Sequence, residues 1–445
     1  MRYFFILLAF FLFLGCSSKE NVLKDESVLK KNEIVIHDLV TIPQNVDYYT
    51  KSLDDNVSFY EIQKNYEVSY FRIWNIEKPI ESVEDIKWPF YAYANQKTFG
   101  ENLQPLQKFF FDEMYENSNF DAFATLNKRA ITLKDSDLRS FPTIRPLLKD
   151  PSLAGEGFPF DYLQNSAIYA NEPIFASHYS KDREWVYVFS SFASGWIKSD
   201  RLVFLEKKYT DIWQKSQQIF LTKEGVPILS TDGAFLYKSR IGMSFALVDE
   251  DKDNYIVLSI MAYKNSEPFY KRAKISKEIA TKKIYNLNKE NLNKIIGEVS
   301  KSNYGWGGMY GQRDCSSSLR DIFAPFGIWL PRNSSQQSKV GKNISLKDLT
   351  DNEKIALIKE KGLPFQTLLH KKGHIVLYVG TYNDEIIIFH NTWGIKTINN
   401  GEEGRVIVGK TVFSTLRLGK ELESYDPNAE MLKKITSMNI LTQKD

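Results

Sequence analysis

From Ala130 to about Ile275 the apolar residues come in short alternating runs, too brief for a helix and cut apart by Gly, Pro, Asn and Asp. Ala130-Ile131-Thr132-Leu133, Pro173-Ile174-Phe175-Ala176, Trp185-Val186-Tyr187-Val188 and Gly195-Trp196-Ile197 are the clearest. A period of two in pieces this small predicts strands with one face buried, closed into compact barrels. A second set, Val226-Pro227-Ile228-Leu229 and Tyr255-Ile256-Val257-Leu258, predicts another barrel behind the first. The middle of the chain is therefore all-β, with expected limits of 130–207 and 208–277. Neither segment holds a catalytic constellation, so positioning or wall binding is the expected role.

The flanks differ. Residues 46–129 carry aromatics at helical spacing, as in Leu103, Leu106, Phe109, Phe110 and Phe111, with Pro79, Pro89 and Pro105 breaking them into short helices. This face is expected to be core. Residues 278–420 mix helical patterns, at 284–299 and 316–326, with strands at 374–379, 385–390 and 405–408. The fold class expected is α+β, followed by a tail at 421–445. The net charge of +3 over 445 residues argues against a nucleic-acid partner.

At the N-terminus Arg2 precedes an apolar run from Phe4 to Leu14, shorter than the roughly 20 residues of a membrane span. It fits a secretory signal over 1–16. Phe13-Leu14-Gly15-Cys16 resembles a bacterial lipobox, which implies lipidation of Cys16, a polar tether over 17–45 and a membrane-anchored body. Ser17, where some bacteria carry a retention Asp, points to the periplasmic face of the outer membrane as the expected site in the cell envelope.

The chain has two cysteines. With Cys16 lipidated, Cys315 has no disulfide partner and is either buried and inert or used. It follows Gly305, Gly307, Gly308 and Gly311 and precedes a helical stripe of Leu319, Ile322, Phe323 and Phe326. Asp314 is a candidate N-cap, which sets Cys315 in the first turn, where the helix dipole favours a thiolate. Of the five histidines, His37 falls in the tether and His178 in the first barrel. His370 is expected to be exposed, beside Lys371 and Lys372. A hairpin centred near Tyr382 pairs His374 with His390, with Cβ atoms about 5 Å apart. A nucleophile needs a base, and the base an orienting partner; Cys315, His374 and His390 fill these roles, with Asn391 as the alternative third member. A zinc site is disfavoured, and neither a metal nor a cofactor is expected.

Tyr304-Gly305-Trp306-Gly307-Gly308, Asp314-Cys315-Ser316-Ser317, Leu330-Pro331-Arg332, Gly373-His374-Ile375-Val376-Leu377-Tyr378 and His390-Asn391 resemble the NlpC/p60 family of cell-wall cysteine peptidases. The segment with Gly195-Trp196-Ile197 resembles the SH3-like domains that accompany such peptidases. The resemblance implies a papain-like catalytic domain preceded by two small SH3-like barrels and a mainly helical N-terminal region. It implies a monomer without cofactor that cleaves murein stem peptides between γ-D-glutamate and the diamino acid. By family analogy Asp314 and Ser316 flank a subsite for the substrate's free amine, and Tyr304 and Trp306 line it; Asp314 is equally a plain cap. Arg332 is left undecided, and Gln312 is a weak candidate for an oxyanion donor beside the Cys315 backbone N–H. Alternatives are a wall-binding lipoprotein with an idle site and a thiol amidase or acyltransferase acting on another amide.

Overall fold

The structure, a computed structural model, describes residues 34–51, 53, 65–264 and 267–443. The expected secretory signal, Cys16 and most of the expected tether lie outside these residues. From Ile36 onward the chain is one compact unit, and its described strands lie in three sheets.

The first barrel holds β1 (Lys128–Thr132), β2 (Ser136–Arg139), β3 (Gln164–Ile168), β4 (Pro173–Tyr179), β5 (Trp185–Ser190), β6 (Ser194–Lys198) and β7 (Leu202–Phe204), in the order β3-β2-β6-β5-β4-β1-β7. Inward residues such as Ala130, Ile174, Val186, Val188 and Ile197 form the barrel core, but the expected single buried face is corrected: the alternate residues Ile131, Phe175, Tyr187 and Phe189 are buried too, because the N-terminal aromatics cover that face. Between β2 and β3 runs a long excursion, residues 140–163, far beyond a hairpin loop. The second barrel holds β8 (Gln218–Leu221), β9 (Pro227–Ser230), β10 (Phe235–Lys238), β11 (Ser244–Glu250), β12 (Asn254–Lys264), β13 (Glu267–Ser276) and β14 (Ala280–Thr281). Its order is β10-β9-β13-β12-β11-β8-β14.

The N-terminal aromatics do form core. Tyr66, Tyr70, Phe71 and Trp74 fill the seam between the two barrels, against Phe175, Trp196 and Phe220. The helix Lys108–Asn117 buries Phe110, Phe111 and Met114 on Phe141, Leu147 and Leu163 of the excursion. Leu103 and Phe109 of the expected stripe face outward instead.

The last sheet joins β15 (Lys342–Ser345), β16 (Thr367–Lys371), β17 (His374–Tyr382), β18 (Glu385–Asn399), β19 (Glu402–Thr415) and β20 (Ser437–Ile440), in the order β15-β20-β16-β17-β18-β19. The helices Lys289–Val299 and Cys315–Phe323 pack their apolar sides, Ile295, Ile296, Leu319 and Ile322, on Ile375, Leu377 and Phe389 of the sheet. The α+β reading holds.

Two boundaries are corrected. The expected tail after 420 supplies β20, paired between β15 and β16, because Met438 and Ile440 complete the buried face. The expected tether ends early: Ile42 joins the core of the last domain, with Val46 and Tyr49 just after it, and the Asp38 carboxylate accepts from Thr415 N and Oγ1 at 2.8 and 2.9 Å.

Candidate active site

Cys315 opens its helix as expected. Asp314 is the N-cap: its Oδ1 accepts the Ser317 N–H at 2.8 Å, and Ser317 Oγ returns the favour to Asp314 N at 2.9 Å. The capping box fixes the first turn and therefore the direction of the thiol. The expected thiolate is not what the site holds at rest. Burial, and then the Asp314 charge, push the Cys315 thiol up to about 11, against an opposing hydrogen bond from the Ile375 backbone N–H. Desolvation outweighs the helix dipole here, so the sulfur is protonated at rest.

The expected base is close in the chain to that contact: Ile375, whose backbone N–H reaches the sulfur, directly follows His374. His374 Nε2 lies 2.9 Å from His390 Nδ1, the rings 5.2 Å apart and steeply inclined. His390 Nε2 lies 3.0 Å from Ser414 Oγ, and that hydroxyl donates to the Thr415 carbonyl at 3.0 Å. The protons follow. Ser414 is committed as a donor and so accepts His390 Nε2–H; His390 Nδ1 then accepts His374 Nε2–H; His374 Nδ1 is left with its lone pair as the proton acceptor. Burial, then His390 and Lys371, holds the His374 pKa well below the ordinary histidine value. Burial, then Lys371, brings His390 down to about 3. Both rings are neutral at pH 7.

The hairpin register differs from the expectation, yet the rings still meet. The turn is made by Asn383 and Asp384, both at positive φ, a two-residue turn. A bulge sits between Tyr378 and Gly380, and Leu377 pairs with Phe389. His374 and His390 are thus diagonal, not directly opposed. A shift of two positions keeps both side chains on one face, which preserves the contact.

Asn391 is not placed as the third member. Its Nδ2 donates to the Asn303 and Arg313 carbonyls at 3.2 and 2.9 Å, bracing β18 to the loop before Cys315. His370 is half-buried on β16 rather than exposed, and its Nε2 has no partner among the described residues. His178 is core, held by Ser177 and the Ser118 carbonyl and packed on Trp196 and Tyr187. Gln312 spends its amide oxygen on Asn303 N at 3.1 Å and lines neither cavity of the cleft.

One cavity, of about 420 Å³, lies on the sulfur's side and is lined by Cys315, Asp314, Ser316, Tyr304, Trp306 and Arg332. Arg332 decides its polarity: it donates to Asp314 Oδ1 and Oδ2 at 3.1 and 2.5 Å and to Ser316 Oγ at 2.9 Å. Burial would raise the Asp314 carboxyl, but Arg332 and the cap bonds hold it below its usual range. Asp314 therefore caps, pairs and faces the cavity at once. The opposite wall comes from outside the domain, with Glu81, Trp88 and Tyr93 of the N-terminal region and Tyr162, Gln164 and Ser194 of the first barrel. Arg332 Nε donates to Ser166 Oγ at 2.8 Å, and Trp306 Nε1 to the Asp161 carbonyl at 2.8 Å. Gly307, at φ 58°, comes so close to Gln164 that a Cβ there would sit 2.6 Å from its carbonyl; only glycine permits that approach. Sequence reasoning missed this wall.

Four family models match the chain in order: the "NLPC_P60 stabilising domain, N term" over 5–123, an "SH3 domain (SH3b1 type)" over 146–198, an "SH3 domain of SH3b2 type" over 207–252, and the "NlpC/P60 family" over 301–404. Residues 301–404 are an NlpC/P60 domain, preceded by that family's stabilising domain and two SH3 domains. The fold is also that of a solved NlpC/P60 endopeptidase from Photobacterium damselae subsp. piscicida, with TM-score 0.79, 23% identity, and 91% of this chain and 98% of that one covered. An NlpC/P60 family protein from Bacillus cereus ATCC 10987 aligns with TM-score 0.45 and 15% identity over 71% of this chain and 99% of its own. No curated protein matches. The NlpC/P60 match at 301–404 contains Cys315, His374 and His390.

Proposed function

We propose that this chain is a cysteine endopeptidase of the cell wall that hydrolyses the γ-D-glutamyl–diamino acid bond of murein stem peptides. Cys315 is the nucleophile, His374 the base and His390 the orienting residue. The reading is carried by the unbroken hydrogen-bond relay from Thr415 through Ser414 and His390 to His374, which leaves one lone pair, at Nδ1, for the thiol proton.

The neutral pair reacts as follows. His374 Nδ1 takes the thiol proton as the sulfur bonds to the carbonyl carbon, and the backbone N–H at the start of the Cys315 helix stabilises the resulting oxyanion. The imidazolium returns its proton to the leaving nitrogen, the C–N bond breaks, and a thioester remains. A water then loses a proton to His374, attacks the thioester, and frees the acid and the thiol. Tyr304, Trp306, Asp314 and Ser316 bind the free-amine end of the stem peptide, with the first barrel as the far wall. In the cell the body is tethered through a lipid on Cys16 to the periplasmic face of the outer membrane. The sequence of residues 1–18 supports this location.

The test is digestion of purified stem peptides with product masses read by mass spectrometry. The wild type should release an alanyl-γ-glutamate dipeptide, and Cys315→Ser should lose the activity by a factor of about 10³ or more with unchanged circular dichroism. Absence of fragments from the wild type, a cut at another amide, or an active Cys315→Ser variant overturns the reading. Loss of fatty-acid labelling in Cys16→Ala checks the anchor.

A further inference from the structure

Beyond the cavity that holds Cys315 lies a second one, of about 360 Å³, lined by His374, His390, Lys371 and Arg405. The two meet at Tyr304 and Gly373, which line both. Their chemistry fixes which end of a substrate each receives. The leaving nitrogen takes its proton from His374, so the fragment it belongs to must extend along the histidine side. The acyl half then lies on the sulfur side, toward Asp314.

No acidic side chain lines the histidine-side cavity, while Lys371, Lys396 and Arg405 do. Lys396 is compensated by Glu403 at 2.7 Å and Asp426 at 3.6 Å. Arg405 shares Glu403 through Nη2 at 2.8 Å and donates Nη1 to the Gly404 carbonyl. Its guanidinium edge lies against Gly155, where a Cβ would come within 2.7 Å of Nε; this glycine of the first barrel's excursion leaves room for that edge at the cavity rim. Lys371 has no ion pair among the described residues. It pairs directly with His374 across the tight β16–β17 turn, so the two side chains share a face. It is half-buried, and burial, with repulsion from Lys434 and Arg405, lowers its pKa. A half-buried cation without a counterion among the described residues, beside a second cation and facing a cavity, suits an anionic guest.

We propose that Lys371 and Arg405 form a subsite for a carboxylate on the amine-bearing fragment that leaves on cleavage. This rests on the endopeptidase reading above and adds the specificity of the product side. Two carboxylates have the right chemistry: the terminal α-carboxylate of a short stem peptide, and the side-chain carboxylate of a diamino acid that carries one.

The experiment compares kcat/KM for stem tripeptides ending in a free acid or an amide, and ending in diaminopimelate or lysine. The wild type should favour the charged member of at least one pair by about tenfold, mainly through KM. Which pair responds identifies the carboxylate. Lys371→Met and Arg405→Gln should remove the preference, and Lys371→Arg should keep it. Calorimetry of the same peptides on Cys315→Ala, with and without Lys371→Met, reads the preference without turnover. A wild type that cleaves all four alike, or a preference that survives both Lys371→Met and Arg405→Gln, overturns the subsite while the endopeptidase stands. A wild type that cleaves none overturns the endopeptidase reading, and the subsite falls with it.

Discussion

The two barrels look alike in sequence and are used in opposite ways. The first forms a wall of the cleft: Tyr162, Gln164 and Ser194 face Cys315 across the cavity, and Ser166 holds Arg332. The second lines neither cavity and grips the back of the Cys315 helix. Glu224 accepts from Arg313 at 2.7 Å, the Ile241 carbonyl accepts from the same guanidinium, and Gly242 lies against Asp321. Arg313 and Asp321, paired at 2.7 Å and both almost fully buried, sit between the second barrel and the helix, with Tyr169 of the first barrel also bonded to Asp321. Architecture did not assign the roles. Placement did: β3 and the start of β6, with Tyr162 at the end of the 140–163 excursion, face the cleft, while the second barrel turns its loops at Glu224 and Ile241 to the helix.

The largest effect should come from breaking the brace. Arg313→Met takes from buried Asp321 one of its two cations, leaving Arg320 at 3.0 Å, and leaves Glu224 without its ion pair. It should cost about 3 kcal/mol, read by chemical denaturation, and a loss under about 1 kcal/mol would dissolve the distinction between wall and brace. Next comes the seam where both barrels meet. Glu172 is buried there beside Tyr70 and Arg320, and burial raises its carboxyl from 4.5 to about 7. The folded form then binds more protons than the unfolded one between these values, so this group's contribution is lost as pH rises through about 7. Glu172→Gln should remove that slope, changing the pH 5 to pH 8 stability difference by up to about 3 kcal/mol. His178 and His390, brought down by burial to about 4 and about 3, act with the opposite sign below pH 6.5 in both proteins, and so cancel in the comparison.

A smaller effect should sharpen the role of the wall. Ser166→Ala removes one hydrogen bond to Arg332, and about 1 kcal/mol should appear as a few-fold rise in KM with little change in Tm. An equal fall in kcat at constant KM would argue that the wall shapes the chemistry rather than the binding. The smallest effect concerns the cleft itself. Because His374 titrates well below the usual histidine range, kcat/KM should fall less than twofold between pH 7 and pH 6. An ordinary histidine base, with a pKa of about 6.5, would lose about two-thirds of its neutral form there.

Much of this was legible in the sequence, and the failures have physical causes. The α+β class, the barrel strands and the helix at Cys315 all follow from periodicity and capping. The His374–His390 contact was reachable although the register was not, since a face survives a two-position shift while a pairing does not. The thiol's protonation state was not reachable: the dipole argument is local, and the burial that outweighs it comes from chain segments far away in sequence. Arg332 and Ser166 belong to different domains, and nothing local in either segment signals their contact. His370 was misjudged by its neighbours: Lys372 and Gly373 are exposed in the turn, but Lys371 lines the cavity and His370 is half-buried on β16.

The placement of Ser437–Ile440 inside the last sheet has a consequence for assembly. Its neighbours, β15 and β16, come earlier in the chain, so during folding both present bare backbone edges until a much later segment slots between them. Such edges recruit strands from other molecules when left open. A chain cut after residue 421 would therefore expose β16 next to the turn that carries Lys371 and His374, and should be lost to self-association before its chemistry could be assayed.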